Sequence, residues 1–294
     1  MRTVGRGLVE TLLVAVLGAV AASPAVAQVP LDVMTFNIRT ANGRDGKNAW
    51  PYRKDLVVET IERLAPQVVG LQEALGEQIA YLDAMLPDYR WLGIDRGLNG
   101  GVGLSEATPI FYRYAELSPI ESGNFWLTST PDTPPLRRDG GRRRRGGGRI
   151  VTWARFYHRE TGRQIYVFNT HFTLRRGQRQ LDSADLVASR VAALPAGTAV
   201  IVMGDFNNTA GDSETWRVAT ARGLRDAWMV ADETRGPTMT YGAFFPPRDG
   251  NTARVDWILV GGPVDVRWVE TVLDNDDGRY PSDHYPVAAG LELR

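Results

Sequence analysis

The chain has 294 residues, with 34 basic side chains balanced by 34 acidic ones, 43% hydrophobic residues and no cysteine. That length suits one large α/β or two-sheet domain, and the missing cysteine excludes disulfides and thiolate metal sites. The even charge excludes a surface that is basic all over, so a polyanion would have to be met by local patches.

In chain order, Arg2 and Arg6 precede an apolar run from Thr11 to Ala22, and Ala25-Val26-Ala27 is a small-x-small cleavage site. This predicts a signal peptide over 1–27, Gln28 as the mature N-terminus and a secreted or periplasmic location. The run is short for a membrane span, so no stable membrane insertion is expected; an uncleaved anchor is the competing reading. Removing the leader leaves 32 basic against 33 acidic groups. Residues 28–294 then form one domain, expected to be a monomer.

Leu31 to Phe36 reads as a strand ending in Asn37-Ile38-Arg39. After a polar loop, Pro51 opens a helix in which Leu56, Val57, Thr60, Ile61 and Leu64 recur at helical spacing, and Pro66 stops it. Val68 to Leu71 is a short buried strand ending at Gln72-Glu73, and Glu77 to Leu86 a second helix. Ile110 to Tyr114 is a strand. Ile150 to Tyr157 and Gln164 to Phe168 flank Glu160-Thr161-Gly162 as a hairpin, and the second arm runs into Asn169-Thr170-His171. Gln178 to Leu194 is an amphipathic helix. Ala199 to Met203 is an apolar strand delivering Gly204-Asp205-Phe206-Asn207, Arg254 to Val260 a strand carrying Asp256, and Val264 to Leu273 another. Ser282-Asp283-His284 precedes a last strand from Tyr285 to Leu293. One tract is of low complexity: Arg137 to Arg149 holds seven Arg, five Gly and one Asp, and reads as a flexible surface loop.

Several apolar strands therefore end in Asn, Glu, Asp or His. Side chains at strand ends can converge on one rim of a sheet, and an Asp/Glu/Asn set without Cys is a hard-oxygen set suited to Mg²⁺, Mn²⁺ or Ca²⁺. Only three His are present, few for a di-zinc centre.

Phe36-Asn37-Ile38-Arg39, Leu71-Gln72-Glu73, Asn169-Thr170-His171, Gly204-Asp205-Phe206-Asn207, Arg254 to Leu259 and Ser282 to Val287 occur in that order. This set resembles the endonuclease/exonuclease/phosphatase superfamily, which includes deoxyribonuclease I, abasic-site endonucleases, deadenylases, inositol-polyphosphate phosphatases and neutral sphingomyelinases. The resemblance covers residues 31–293. It implies a four-layer α/β/β/α sandwich of two packed mixed sheets, deoxyribonuclease I-like, with the site at one end. Carried over residue by residue, it makes Glu73 the principal metal ligand, Asn37 an aid to positioning that ligand or the phosphate, and Asp283 a second or water-mediated ligand. Asp205 would orient or deprotonate the attacking water, and Asn207 would bond the water or the phosphate. Asp256 would fix His284 as a donor to a phosphate oxygen, with Asn169 and His171 as further donors. Glu106 is the candidate partner of His171, against the plain reading of an exposed loop Glu; His158 reads as structural.

The chain departs from some relatives after His171, where Thr173, Arg175 and Arg176 replace an Asp-His pair. Arg39 and Arg53 are candidate substrate residues, although Arg53 is equally an exposed Arg at a helix start. The Arg/Gly tract would track a polyphosphate or be merely solvated. The implied activity is a secreted, Mg²⁺-dependent phosphodiesterase, with a nuclease acting on DNA or RNA placed first. A phosphomonoesterase, or a sphingomyelinase or inositol-phosphate phosphatase, on the same scaffold is the alternative. An inactive secreted binding protein, the third reading, would have lost Glu73, Asp205, Asp256 or His284, and all four are present.

Overall fold

The structure is a computed structural model that describes residues 29–97, 105–135 and 148–294. The leader and most of the Arg/Gly tract lie outside the described residues.

Strands β1 (Val29–Asn37), β2 (Val68–Gln72), β3 (Tyr89–Leu92) and β4 (Ile110–Arg113) are interleaved with helices α1 (Lys54–Leu64) and α2 (Gly76–Met85). The next elements are β5 (Leu117–Trp126), β6 (Ile150–His158), β7 (Gln164–His171), α3 (Gln178–Ala192), β8 (Ala199–Asp205) and α4 (Glu214–Thr220). The chain closes with β9 (Arg225–Asp226), α5 (Ala227–Val230), β10 (Glu233–Arg235), β11 (Asp256–Gly261), β12 (Val264–Thr271) and β13 (Val287–Leu293). They form two mixed sheets, β10-β12-β13-β1-β2-β4-β3 and β5-β6-β7-β8-β11-β9.

The sheets pack face to face. Leu31, Val33, Val68 and Ile110 of the first meet Phe156, Ile165, Val167, Ile201, Met203 and Ile258 of the second in one core. Each outer face is covered in turn. Met34, Phe36, Val69 and Leu71 pack under Val57, Ile61, Ile79 and Leu82 of α1 and α2. Phe168, Val202, Trp257 and Leu259 pack under Ala184, Val187 and Ala219 of α3 and α4. This is the expected four-layer sandwich. Burial on both faces explains why β1, β2, β8 and β11 read as continuous apolar runs rather than as an alternation.

Three details differ from the sequence reading. Pro51 lies in a 3₁₀ turn, Trp50–Tyr52, and the α-helix starts only at Lys54. Strands β3, β5, β9 and β10 are additional; all four are sheet edges, and β5 carries Pro119, a register shift and an exposed middle that break the period-two pattern. Helices α4 and α5 are additional too; α4 is capped by Ser213, whose hydroxyl accepts from Trp216 N at 3.2 Å. No helix among the described residues is long and apolar enough to cross a membrane.

Candidate active site

The alternation of each strand builds the site. In β1 the row facing the other sheet runs Leu31, Val33, Thr35 and then Asn37. The corresponding rows are Ile165, Val167, Asn169, His171 in β7, Ile201, Met203, Asp205 in β8, and Val260, Ile258, Asp256 in β11. Each row turns polar where it leaves the apolar core, and all turn polar at the same end. Pairing aligns them laterally: His171 and Asp205 are register partners across β7 and β8, and Asp205 and Asp256 across β8 and β11. Gly204 makes this possible, because at φ 154° a Cβ there would run into the Thr170 carbonyl of β7.

The chain leaves β1, β2 and β8 through left-handed non-glycine residues: Arg39 (φ 51°), Glu73 (φ 61°) and Asn207 (φ 50°). Such conformations cost about 1 kcal/mol or more for residues other than Gly and Asn. Local bonds hold them. Asn37 Oδ1 accepts from Arg39 N at 3.0 Å, Glu73 Oε2 from Thr40 N at 3.0 Å, and Asp205 Oδ1 from Asn207 N at 2.9 Å.

Two carboxylates standing opposite each other repel, and this pair is resolved electrostatically. His284 Nδ1 lies 2.9 Å from Asp256 Oδ2, and its Nε2 lies 3.8 Å from Asp205 Oδ2. Burial alone would push the His284 imidazole down, but the charges of Asp256, Asp205 and Asp283 outweigh it and hold its pKa well above the ordinary 6.5. These charges favour the imidazolium form of His284. Burial pushes the Asp205 carboxyl up to about 7, with His284 opposing and Asp256 adding to the rise. His171 goes the other way: burial, then the charges of Arg149, Arg96 and His284, hold it well below its ordinary value. Its Nε2 is 3.3 Å from Asp205 Oδ2, so an imidazole that favours its neutral form stands on one side of Asp205 and one that favours its charged form on the other.

Glu73 and Asp283 form a second acidic group. Arg39 stands between them, its Nη1 4.0 Å from Glu73 Oε2 and its Nε 3.8 Å from Asp283 Oδ2, both too long for hydrogen bonds. Its guanidinium is bonded instead to Asp45, at 3.1 and 3.0 Å. Burial raises the Asp283 pKa, His284 opposes the rise, and the negative charge of Glu73 adds to it. Mutually repelling carboxylates with no thiolate nearby fit a hard divalent cation such as Mg²⁺. Asp205, Asp256 and His284 also place ligand atoms within 4.8 Å of one another. That trio fits a cation less well, because His284 Nδ1 is already bonded to Asp256.

Asn37 donates to Asp205 Oδ2 at 2.9 Å and Glu73 Oε1 at 3.3 Å while its Oδ1 accepts from Arg39 N, which ties it to both carboxylates. Three expectations need correction. Asn169 is fully buried; its amide donates to Leu71 O and Pro109 O at 2.8 Å each, and its Oδ1 accepts from Gln72 at 2.7 Å. It bolts the two sheets together and has no donor left for substrate. Gly70 leaves room for it, since a Cβ there would come within 2.8 Å of Asn169 Cγ. Arg53 is fully buried rather than exposed and donates to the carbonyls of Asn48, Ile38, Pro281 and Arg39 at 2.6 to 2.9 Å. Glu106 lies in the same recess as His171 but pairs with Arg96 at 2.9 Å, not with the imidazole.

Asn207 donates to Phe172 O at 3.0 Å and holds its place beside Asp205. His158 bonds Thr161 Oγ1 at 3.0 Å, the structural role expected of it. Sequence reasoning missed Tyr241, half exposed, whose ring meets the His284 ring edge-on at 5.0 Å. It also missed Arg96 and treated Arg149 only as the end of the Arg/Gly tract. The available signal was that Arg149 immediately precedes a strand paired with the one carrying His171.

Fold and site together define a two-sheet sandwich with a carboxylate and imidazole cluster at one end. The endonuclease/exonuclease/phosphatase family model matches residues 34–284, and the chain belongs to that family, whose members are hydrolases of phosphate esters. A solved family protein from Bacteroides vulgatus is 31% identical, covering 90% of this chain and all of that one, with a TM-score of 0.81. The mannosyl-6-phosphatase of Bacteroides thetaiotaomicron is 28% identical over 89% of this chain and 99% of its own, with a TM-score of 0.79. An uncharacterised mimivirus protein is 25% identical and the uncharacterised Escherichia coli protein YbhP 32% identical; the matched stretches span 59% and 53% of those curated relatives.

Proposed function

We propose that this chain is a divalent-metal-dependent phosphoesterase that hydrolyses its substrate by direct attack of water, with no covalent enzyme intermediate. The observation that carries the reading is the lateral row His171–Asp205–Asp256 with His284 charged beside it. Asp205, with a pKa near neutrality, is suited to take a proton from water as the water oxygen bonds to phosphorus. The ester P–O bond breaks, and the alcohol leaves with a proton from solvent. The His284 imidazolium, fixed by Asp256, donates to a phosphoryl oxygen as its negative charge grows. Glu73 and Asp283 would hold Mg²⁺, or Mn²⁺ or Ca²⁺ in its place, which supplies Lewis-acid polarisation of the phosphate when bound. Asn37 and Asn207 orient the carboxylates.

A small phosphomonoester is the substrate this reading favours, supported by the mannosyl-6-phosphatase that is similar over almost the whole chain. The nuclease reading retains one support, the seven Arg between Arg137 and Arg149. The chain is also read as exported through its first 27 residues; protein recovered from a bacterial periplasm should then begin at Gln28. The deciding assay compares Mg²⁺ with EDTA on p-nitrophenyl phosphate, bis(p-nitrophenyl) phosphate, sugar phosphates, DNA, RNA and sphingomyelin. Alanine at Glu73, Asp205 or His284 should each lower kcat about a hundredfold or more. Full activity in all three variants, or in EDTA, would sink the proposal.

A further inference from the structure

Next to His171 lies a recess that the reaction above does not use, lined by Arg96, Glu106, Thr108 and Arg149 as well as by His171 itself. It holds two guanidinium groups against one carboxylate. Glu106 Oε2 is already taken by Arg96 Nη2 at 2.9 Å; Arg149 Nη1 stands 3.9 Å from the same oxygen. That Nη1 is buried and has no hydrogen-bond partner, and neither has the buried Nδ1 of His171. Arg149 Nη1 is a donor in every state, and a buried donor without an acceptor is costly, so this atom beside the recess marks a place for an acceptor. The surplus positive charge fixes that acceptor as an anion. The recess also adjoins the reaction centre, since the other nitrogen of His171 is 3.3 Å from Asp205.

We propose that Arg149 and Arg96, reached past His171, form the subsite for the third terminal oxygen of a phosphomonoester, and that this subsite makes the enzyme prefer monoesters to diesters. The inference rests on the phosphoesterase reading and narrows it to a substrate class. A diester presents two non-bridging oxygens and one negative charge. A monoester presents three terminal oxygens and carries nearly two charges at neutral pH. His284 and the metal-side groups serve the oxygens common to both. Only the monoester has a further charged oxygen for Arg149, and charge-assisted bonds of this kind are the strong ones. Glu106 then has a different task from that expected of it. By engaging Arg96, it offsets one of the two cations and fixes the fork in place.

The test uses the mature protein with Mg²⁺, as wild type, Arg149→Gln, Arg149→Lys and Arg96→Gln, with circular dichroism to verify folding. Values of kcat/KM are measured on p-nitrophenyl phosphate and bis(p-nitrophenyl) phosphate, and binding of inorganic phosphate by calorimetry. In Arg149→Gln the monoester-to-diester ratio of kcat/KM should fall about tenfold or more, phosphate binding should weaken by a similar factor, and Arg149→Lys should recover part of both. A ratio unchanged within about twofold, or a wild type that prefers the diester, overturns the subsite. Hydrolysis of neither ester would instead count against the phosphoesterase reading. The calorimetry then decides alone: phosphate bound by the wild type and weakened in the variants supports the subsite, and phosphate unbound or unaffected overturns it. If Arg149→Gln does not fold, Arg149→Lys and Arg96→Gln are judged by the same criteria.

Discussion

At the scale of residues, the site works by giving chemically similar groups different surroundings. His284 and His171 are both buried, which disfavours charge on either; three carboxylates outweigh this at the first, while at the second two guanidinium groups and His284 add to it. The consequence for pH is directional. A raised His284 pKa means the imidazolium persists above the ordinary imidazole range, so the alkaline limb of kcat/KM should lie above pH 6.5. Asp256→Asn removes the carboxylate bonded to Nδ1, lowers that pKa and should move the limb to lower pH. A limb that stays in place, measured from pH 5 to 10 at saturating metal, would show that another group sets it. Arg53 carries a different expectation. Arg53→Met keeps much of the volume but strips four carbonyls of their donor, two of them fully buried, and urea unfolding should register a loss of about 3 kcal/mol or more.

At the scale of elements, what was legible depended on who supplies the partner. The strands covered on both faces announced themselves as apolar runs, and the polar letters that end them, Asn37, Glu73, His171, Asp205 and Asp256, marked the site because strand alternation is local. The roles of Asn169 and Arg53 were not legible, because both bond main-chain carbonyls brought close by tertiary packing. Such partners leave no trace in residue types. Edge strand β5 was hidden for a related reason: its exposed middle carries no periodicity to read. The bolt at Asn169 makes a testable claim about the elements it joins. Asn169→Ala removes one bond each from the buried carbonyls of Leu71 and Pro109 and from the Gln72 amide, which keeps Thr35 and Gly70 as acceptors, and should destabilise the fold by about 2–4 kcal/mol in urea. A change under about 0.5 kcal/mol would mean that the sheets are held without it.

At the scale of the molecule, the sandwich supplies a rigid body with an acidic, strained rim at one end. Stability and function are linked there through the cation. Relief of the repulsion between Glu73 and Asp283 should stabilise the whole domain, by about 2.7 kcal/mol at a hundred times the dissociation constant. This corresponds to a rise of roughly 5 °C or more in thermal midpoint on adding Mg²⁺, reversed by EDTA. The same titration on Glu73→Gln should show little or no rise; an equal rise would place the ion elsewhere. Arg53 has a consequence of another kind. It fastens the segment after β1 to Pro281, just ahead of Asp283, and all four of its acceptors are main-chain oxygens. Every residue type presents that oxygen, so substitutions in the surrounding loops can accumulate without loosening the fastening. Descendants of one ancestral gene could exchange their loop sequences, and with them the molecules they recognise, while the machinery at the rim is inherited unchanged.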